Sequence, residues 1–327
     1  MQKNVNLFDR FPWSIRLKIE KLPYLAALRP HQWTKNLVVF AAPLFAFNIT
    51  WQSALSGLLA FALFCATSSS FYLLNDIVDV ESDRQHPVKC KRPIAAGLVS
   101  IPAALTMALV LLSSALLIGW LHTPALGLIL LGYAILQVAY NLKLKHAPIA
   151  DVIAIATGFI LRACAGGAAT QTPVSSWFLL CTAMLALFLG IEKRKAELRL
   201  LQRIGKRPRR YVLRRYSLPL LLRMESVVTT GTVISYALWS SGPLVGGAPT
   251  AWMLVTVPFV LYGIFRYQLI SDFRATARQT QGEEQPQERS ERPEEVLLSD
   301  RPILLCVIGW LVTVFVIELL HYIGWLN

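Results

Sequence analysis

A short acidic stretch follows an apolar segment early in the chain. The sequence NDIVDVESDR at 75–84 places three carboxylates at Asp76, Asp79 and Asp83. On a helix, with about 100° per residue, these side chains fall within a stripe of ~60° on one face. Because like charges on neighbouring turns repel one another, the stripe predicts a bound cation. Carboxylate oxygens suit Mg²⁺, which also coordinates substrate phosphates.

The alternative interpretation is a solvated helix end, in which Asn75 and Asp76 only terminate the helix. The spacing of all three carboxylates directly after an apolar segment favours a metal site instead. Basic residues then follow in a loop that contains Pro87 and Pro93. We expect this loop to cover the site and to bind phosphate through Arg84, Lys89, Lys91 and Arg92.

The composition shows which elements must position this stretch. Of 327 residues, 55% are hydrophobic and only 16% are charged, and the mean hydropathy is +0.50. Soluble domains carry about a quarter charged residues, so we predict an all-α polytopic membrane protein. Nine transmembrane helices are predicted at 36–52, 54–75, 101–121, 124–141, 148–169, 174–191, 225–242, 251–271 and 303–325.

The placement of Lys and Arg supports this topology. All but two of the 32 basic residues lie in alternate connecting segments or in the N-terminal region, and the intervening loops hold none. This asymmetry predicts a cytoplasmic N-terminus, with the acidic stretch on the cytoplasmic face. The net charge of +13 is then explained by loops beside anionic lipid, so no nucleic-acid partner is predicted.

The predicted organisation has two parts. Residues 1–35 form a cytoplasmic segment with an amphipathic helix at the membrane interface, and residues 36–325 form the transmembrane domain. Within that domain, 272–300 is predicted to be a disordered cytoplasmic connector, because it is polar, rich in Gln and Glu, and lacks aromatic residues.

The acidic stretch resembles the UbiA superfamily of intramembrane prenyltransferases. The matching residues form the pattern N-D-x-x-D-x-x-x-D from Asn75 to Asp83 and a K-x-R-P turn from Lys91 to Pro93. The resemblance implies a helical bundle around a central cavity that opens to lipid. It also implies that Mg²⁺ holds a diphosphate at the cytoplasmic side, with Asn75 among the substrate contacts.

Further stretches are similar to the phosphoribosyltransferase branch of that superfamily. They read LRPHQWTKNLVVFAAPLF at 28–45, YNLKLKHAPIADVIAIATGFILRACAGG at 140–167 and PEEVLLSDRPILL at 293–305. The resemblance implies that phosphoribosyl pyrophosphate donates 5-phosphoribose to a polyprenyl phosphate of the decaprenyl type. The product would be a lipid-linked pentose, an arabinan precursor for the cell envelope, made at the bacterial inner membrane.

A second motif distinguishes this branch from aromatic prenyltransferases. Where those enzymes carry D-x-x-x-D, this chain reads EKRKAEL, with Lys193, Arg194 and Glu197. The added cations fit a substrate set with more phosphate groups. The alternative is a basic flank of a membrane span, with Lys193 and Glu197 paired one turn apart.

Several residues outside the two motifs complete the expected site. Lys35 and Asn36 are expected to contact phosphate or ribose, or else to anchor the chain at the membrane interface. Tyr140 and Lys145 are carried over from the pattern of the family. Arg266 lies about one turn inside a span and is also expected to bind substrate. The roles of Arg162 and Asp300, and any homo-oligomer, are left open.

Two other functions share some of these features. An aromatic prenyltransferase would share the fold, the metal and the first motif, but the altered second motif argues against it. A transporter or lipid-binding protein would place polar groups near the bilayer midplane, whereas most acidic residues here lie in cytoplasmic segments.

Overall fold

The computed structural model describes residues 22–48, 50–86, 89–203, 211–281 and 300–326. Within them the chain forms eleven α-helices, numbered α1 to α11 in chain order. Their bounds are Pro23–Ala27, Ala41–Phe45, Trp51–Val78, Val80–Arg84, Ile101–His122, Pro124–Leu142, Ala150–Thr170, Ser176–Arg203, Leu218–Ser240, Val257–Gln281 and Arg301–Tyr322. The longer 3-10 helices are Pro30–Phe40, before α2, and Ala251–Thr256, before α10.

Polar side chains begin several of the long helices. Each accepts a hydrogen bond from a backbone N–H in the first turn, a group that has no partner within the helix. These N-cap residues are Thr50 of α3, Ser100 of α5, Ser217 of α9 and Asp300 of α11. The starts of these helices are therefore encoded locally.

Seven helical segments in the described part of the chain are long and apolar enough to cross a membrane. They are Trp51–Val78, Ile101–His122, Pro124–Leu142, Ala150–Thr170, Ser176–Arg199, Ala251–Asp272 and Arg301–Tyr322. Each matches one predicted span. The other two predicted spans do not meet this test, so a count of nine stays a prediction.

Those two spans differ from the others for identifiable reasons. The segment predicted at 36–52 is a 3-10 helix followed by the five-residue α2, so it forms no long α-helix. The segment predicted at 225–242 lies in α9, where Arg223, Glu225 and several Ser and Thr residues interrupt the apolar sequence.

The chain divides into two compact units. Unit 1 comprises 1–44, 48–141 and 161–173, and unit 2 comprises 45–47, 142–160 and 174–327. In unit 1, α3 packs along α5, and buried aliphatic and aromatic side chains surround Phe64 and Tyr133. In unit 2, α8 packs along α9, and the largest core cluster contains Phe188 and Tyr267.

The described residues include only part of two predicted segments, the N-terminal interfacial helix and the connector at 272–300. Residues 1–21 and 282–299 lie outside the described residues, and with them most of the predicted interfacial helix and connector. The helix α10 runs to Gln281, so the first ten residues of the predicted connector at 272–300 are helical rather than disordered.

Candidate active site

The acidic stretch lies where α3 ends in unit 1. The helix does not run unbroken through it: α3 ends at Val78, and Asp79 has ψ near 6° before α4 begins at Val80. Asp76 and Asp83 are both buried, with 3% and 1% of their surface exposed, whereas Asp79 is half-buried. Two of the three predicted carboxylates are therefore buried, and Asp79 lies at the break between the two helices.

One guanidinium joins the two buried carboxylates. Arg92 Nη1 donates to Asp76 Oδ1 at 3.0 Å and to Asp83 Oδ2 at 2.6 Å. The ammonium of Lys89 lies 3.8 Å from Asp83 Oδ1. The loop that follows the motif thus folds back onto it, and phosphate binding by Lys89 and Arg92 stays a prediction.

A third cation was not predicted. Arg29 donates from Nη2 to the same oxygen of Asp76, and its guanidinium stacks over the Tyr72 ring at 5.0 Å. It comes immediately before the 3-10 helix, in a left-handed conformation with φ of 53°. Two guanidinium groups on one carboxylate oxygen concentrate positive charge where an anionic substrate would bind.

The donors present fit a hard divalent cation. Asp83 Oδ1 is buried, and no described residue donates a hydrogen bond to it. An unsatisfied buried carboxylate oxygen is costly, and Mg²⁺ accepts such oxygens as ligands. However, the described residues contain no group of three or more His, Cys, Asp or Glu close enough to hold a metal ion. Asp76 and Asp83 would therefore supply the protein ligands, and other oxygens the rest.

The remaining predicted residues of this region have different surroundings. Asn75 is half-buried, and its carbonyl accepts from the backbone of Asp79. Arg84 pairs with exposed Glu81 at 3.0 Å, and Lys91 is exposed. Lys35 donates to Gln32 at 2.6 Å.

Asn36 lies inside unit 1 rather than at a site mouth. It is fully buried, and its side-chain oxygen accepts from Arg162 Nε at 2.7 Å. Arg162 also donates to the Tyr133 hydroxyl at 2.9 Å and stacks on the rings of Tyr133 and Phe64. Asn36 and Tyr133 therefore hold an intramembrane arginine, a role that the sequence did not reveal for Asn36.

The second motif lies on α8 in unit 2, where four of its charged side chains are buried and Lys193 is half-buried. Arg194 donates to Asp151 at 2.9 Å and to Glu197 at 2.7 Å, so its partner one turn away is Glu197. The Tyr216 hydroxyl donates to the other oxygen of Asp151 at 2.7 Å. Burial, together with this hydrogen bond to Asp151, raises the pKa of Tyr216 above its ordinary value.

A separate ion network lies on the other side of α8. Lys195 donates to Glu192 at 2.7 Å and to Glu225 of α9. Gln268 of α10 donates to Glu225 at 2.8 Å, and Ser271 donates to Glu192 at 2.7 Å. All four oxygens of these two carboxylates thus accept a hydrogen bond, which offsets the cost of burying them.

The remaining predicted site residues, in either unit, lie apart from these networks. Arg266 contacts both oxygens of Asp300, at 3.3 and 3.1 Å, and Asp300 also caps α11. Lys145 is half-buried in the 3-10 helix Leu144–His146. Tyr140, which belongs to unit 1, is half-buried in the last turn of α6.

The apolar helices define an integral membrane protein, in which two buried carboxylates contact three basic side chains. Comparison with known proteins identifies the family. The chain belongs to the UbiA prenyltransferase family, which matches residues 37–281. This membership confirms the resemblance that the first motif indicated.

Relatives and solved structures agree with this assignment. A decaprenyl-phosphate phosphoribosyltransferase of Mycobacterium tuberculosis is 37% identical over 294 residues, covering 88% of this chain and 91% of the relative. One of Corynebacterium glutamicum is 36% identical over 310 residues, covering 91% and 86%. The structure of a UbiA homolog from Archaeoglobus fulgidus bound to GPP and Mg²⁺ has a TM-score of 0.63 at 22% identity, covering 90% of this chain and 98% of that one.

Proposed function

We propose that this protein transfers 5-phosphoribose from phosphoribosyl pyrophosphate to a polyprenyl phosphate of the decaprenyl type. The observation that carries the proposal is the buried Asp76–Asp83 pair with Arg29, Lys89 and Arg92 around it. The names of the relatives support the choice of donor and acceptor.

The reaction replaces one bond at C1 of the ribose. An oxygen of the polyprenyl phosphate forms a bond to C1, and the bond from C1 to the diphosphate oxygen breaks. The diphosphate leaves with the electron pair. Because the attacking phosphate is already an anion, the reaction requires no general base.

In this proposal, the charged residues around Asp76 and Asp83 in unit 1 bind the leaving diphosphate. A divalent cation on Asp76 and Asp83, for which we propose Mg²⁺, would neutralise charge that develops on the diphosphate. The relative bound to Mg²⁺ supports that choice of metal. Arg29, Lys89 and Arg92 donate to phosphate oxygens once their carboxylate contacts are released. Charge-assisted hydrogen bonds of this kind stabilise the leaving group more in the transition state than in the ground state.

The location follows from the charge distribution. We propose that the site opens to the cytoplasm of a bacterial cell, where phosphoribosyl pyrophosphate is made, and that the acceptor tail stays in the inner membrane. The clustering of Lys and Arg in alternate loops supports this orientation. The product would supply pentose for cell-envelope glycans.

The decisive experiment compares two pairs of donor and acceptor substrates. Membranes that contain the protein are offered labelled phosphoribosyl pyrophosphate with decaprenyl phosphate, or a labelled prenyl diphosphate with an aromatic acid. We expect a lipid-linked product only from the first pair, and none after chelation of divalent cations. Transfer only from the second pair would show an aromatic prenyltransferase instead.

A further inference from the structure

Arg162 is a charged side chain inside a membrane-spanning helix. It lies on α7, in the part of that helix that belongs to unit 1, and only 7% of its surface is exposed. A cation at membrane depth is costly, and a residue of this kind commonly serves a functional site. A row of polar contacts within unit 1 leads from Arg162 to Asp76, the carboxylate that Arg29 and Arg92 share.

The first contact in this row fixes the orientation of an amide. An arginine side chain only donates hydrogen bonds, so Asn36 must turn its oxygen to Arg162 Nε, which lies 2.7 Å away. The NH2 group of Asn36 then points to α3, where Cys65 Sγ accepts at 3.2 Å and Ser68 Oγ at 3.4 Å. Without the arginine the amide could turn over, because a thiol and a hydroxyl can also donate to its oxygen. Arg162 therefore selects one of two orientations of Asn36.

Further contacts join the same 3-10 helix to α3. Trp33 Nε1 donates to Ser69 Oγ at 3.0 Å, and Ser69 Oγ donates to the carbonyl oxygen of Leu28 at 2.9 Å. The segment 28–36 is thus bound to α3 at successive positions along its length, with Asn36 at the end nearer to Arg162.

The 3-10 helix and α3 cover similar distances along this row. The seven residues from Arg29 to Asn36 span about 14 Å at roughly 2.0 Å per residue. On α3, Ser68 and Cys65 lie about 12 and 16 Å from Asp76 at 1.5 Å per residue. The contacts at both ends of the row can therefore form together, and a shift of the 3-10 helix along α3 would break both.

Arg29 needs such support because its backbone lies in the left-handed region. Its φ of 53° is uncommon for residues other than glycine, and a conformation of this kind persists where surrounding contacts hold it. The guanidinium of Arg29 shares Asp76 Oδ1 with Arg92. The position of Arg29 therefore sets how much positive charge faces this carboxylate.

We propose that Arg162 is a positioning residue for the acidic site. Through Asn36 it sets the register of the 3-10 helix against α3, and this register holds Arg29 on Asp76. The inference rests on the proposed function only in taking Asp76 as a metal ligand for which Arg29 competes. It does not depend on the identity of the donor or the acceptor.

The first test follows the segment without metal or substrate. Hydrogen exchange of the purified full-length protein in detergent is measured on peptides that cover 28–40 and 101–122. Arg162→Met removes the guanidinium and keeps a long apolar side chain. We expect faster exchange at 28–40, because Asn36 loses the group that orients it, and unchanged exchange at 101–122 in α5. Asn36→Ala breaks the same link from the other side and should have the same effect, so it replaces Arg162→Met if that variant does not fold.

The second test measures the competition at Asp76 by electron paramagnetic resonance of Mn²⁺ bound to the substrate-free protein. Arg29→Gln should raise the affinity for Mn²⁺ several-fold, because it removes a competitor for the carboxylate. Arg162→Met should raise this affinity as well, since Arg29 is then no longer held in place. The two changes combined should give no further rise over Arg29→Gln, because both act through one contact.

Leu126→Ala is the matched control for lost stability. Leu126 is fully buried in the core of unit 1 and takes no part in the row of contacts. Its truncation should lower the Tm, but it should neither speed exchange at 28–40 alone nor tighten Mn²⁺ binding.

Three results would overturn the inference. The first is unchanged exchange at 28–40 in the folded variants of Arg162 and Asn36. The second is faster exchange with unchanged or weaker Mn²⁺ binding, because the register would then not act on Asp76. The third is a combined variant in which the effects of Arg29→Gln and Arg162→Met add, because Arg162 would then act independently of Arg29.

The two proposals fail in distinguishable ways. Wild-type protein that transfers no phosphoribose rejects the proposed function, whereas faster exchange and tighter Mn²⁺ binding in Arg162→Met would still support the positioning role. Wild-type protein that binds no Mn²⁺ would overturn both the metal assignment and this inference. Active wild-type protein whose Arg162→Met variant matches it in exchange and in Mn²⁺ affinity overturns the present inference alone.

Discussion

Asp76 and Asp83 are held by protein cations that a metal ion and a diphosphate would have to replace. Arg92 Nη1 contacts both carboxylates, and Arg29 contacts one of the same oxygens. Binding of Mg²⁺ would compete with these guanidinium groups for Asp76 and Asp83. Once released, the guanidinium groups are available to the phosphate oxygens. The same arginines would therefore oppose metal binding before the substrate arrives and support substrate binding afterwards.

Arg92→Ala is expected to separate these two effects. Without Arg92, the affinity for Mn²⁺ as a probe cation should rise several-fold in the absence of substrate, because a competitor for both carboxylates is gone. The KM for phosphoribosyl pyrophosphate should rise about tenfold or more, since a charge-assisted contact is lost. Electron paramagnetic resonance of Mn²⁺ and steady-state kinetics measure the two quantities.

The control for that variant is Arg223→Ala, which removes an exposed guanidinium of α9. It should change neither Mn²⁺ affinity nor KM. Weaker Mn²⁺ binding in Arg92→Ala would contradict competition between Arg92 and the metal. It would mean that Arg92 only holds the carboxylates in place.

The carboxylates themselves give a second prediction. Asp76→Asn and Asp83→Asn should each lower the transfer rate by about a hundredfold or more, because each removes charge that holds the cation. Glu81→Gln is the matched control in the same stretch, since Glu81 is exposed and pairs with Arg84 at the surface. A near-normal rate in either Asp variant would remove that carboxylate from the metal site.

Local spacing predicted part of this site and could not predict the rest. Asp76, Asp83, Lys89 and Arg92 lie within one short stretch, so helix geometry and a returning loop were enough. Arg29 lies 47 residues before Asp76, and nothing in the intervening sequence signals the contact. Asp79 was expected on the shared face; it lies at the break between α3 and α4 and is half-buried, whereas Asp76 and Asp83 are buried.

The 3-10 helix Pro30–Phe40 depends on a close contact with α7. An added Cβ at Gly166 would lie 1.8 Å from the carbonyl oxygen of Val39, so only glycine permits this approach. The 3-10 helix also carries Asn36, which holds Arg162. The position of the helix and the partner of the buried arginine therefore depend on one small residue.

Gly166→Ala should destabilise the protein by about 1–3 kcal/mol or more, because backbone must move to admit the methyl group. Gly132→Ala in α6 is the matched control, since no atom lies within 4 Å of its added Cβ. Alanine there should be neutral or stabilising by up to ~1 kcal/mol. Thermal unfolding in detergent measures both. Equal stability of the two variants would contradict the contact at Val39.

The helices were easier to predict than their polar contacts. Apolar length located α5 and α11 to within three residues at each end. The motif at 192–197 was placed correctly at the end of its span. Its pairing was not foreseen, because Asp151 and Glu225 lie 43 and 30 residues from Arg194 and Lys195. Such partners become neighbours only when helices pack.

In the described segment before α3, residues 22–48, neither α-helix is longer than five residues. Arg29 contacts Asp76 near one end of α3, whereas Asn48 lies just before the other end and contacts Thr170 and Thr172. The helix between Trp51 and Asp76 is about 38 Å long at 1.5 Å per residue. The segment in between therefore covers a distance comparable to a membrane, although composition alone would not identify it as a span.

Non-α-helical backbone at membrane depth is tolerated where protein surrounds it. Asn36 and Val39 of the segment are fully buried, which meets this condition. We therefore expect the chain to cross the membrane here, as the nine-span prediction requires. Leu22 should then lie on the same side as Lys143, and Leu244 on the opposite side.

Single cysteines can test this arrangement in a variant whose five native cysteines are replaced by Ala. Leu244 is 98% exposed, and Leu22 and Lys143 are exposed as well, so cysteines at all three positions should react. In intact cells, an impermeant maleimide should label Leu244→Cys alone. Leu22→Cys and Lys143→Cys should react only after permeabilisation. Labelling of Leu22→Cys in intact cells, with Lys143→Cys still protected, would mean that Pro30–Phe45 does not cross. Only three spans would then separate Leu22 from Lys143, and an odd number of spans leaves its two ends on opposite sides.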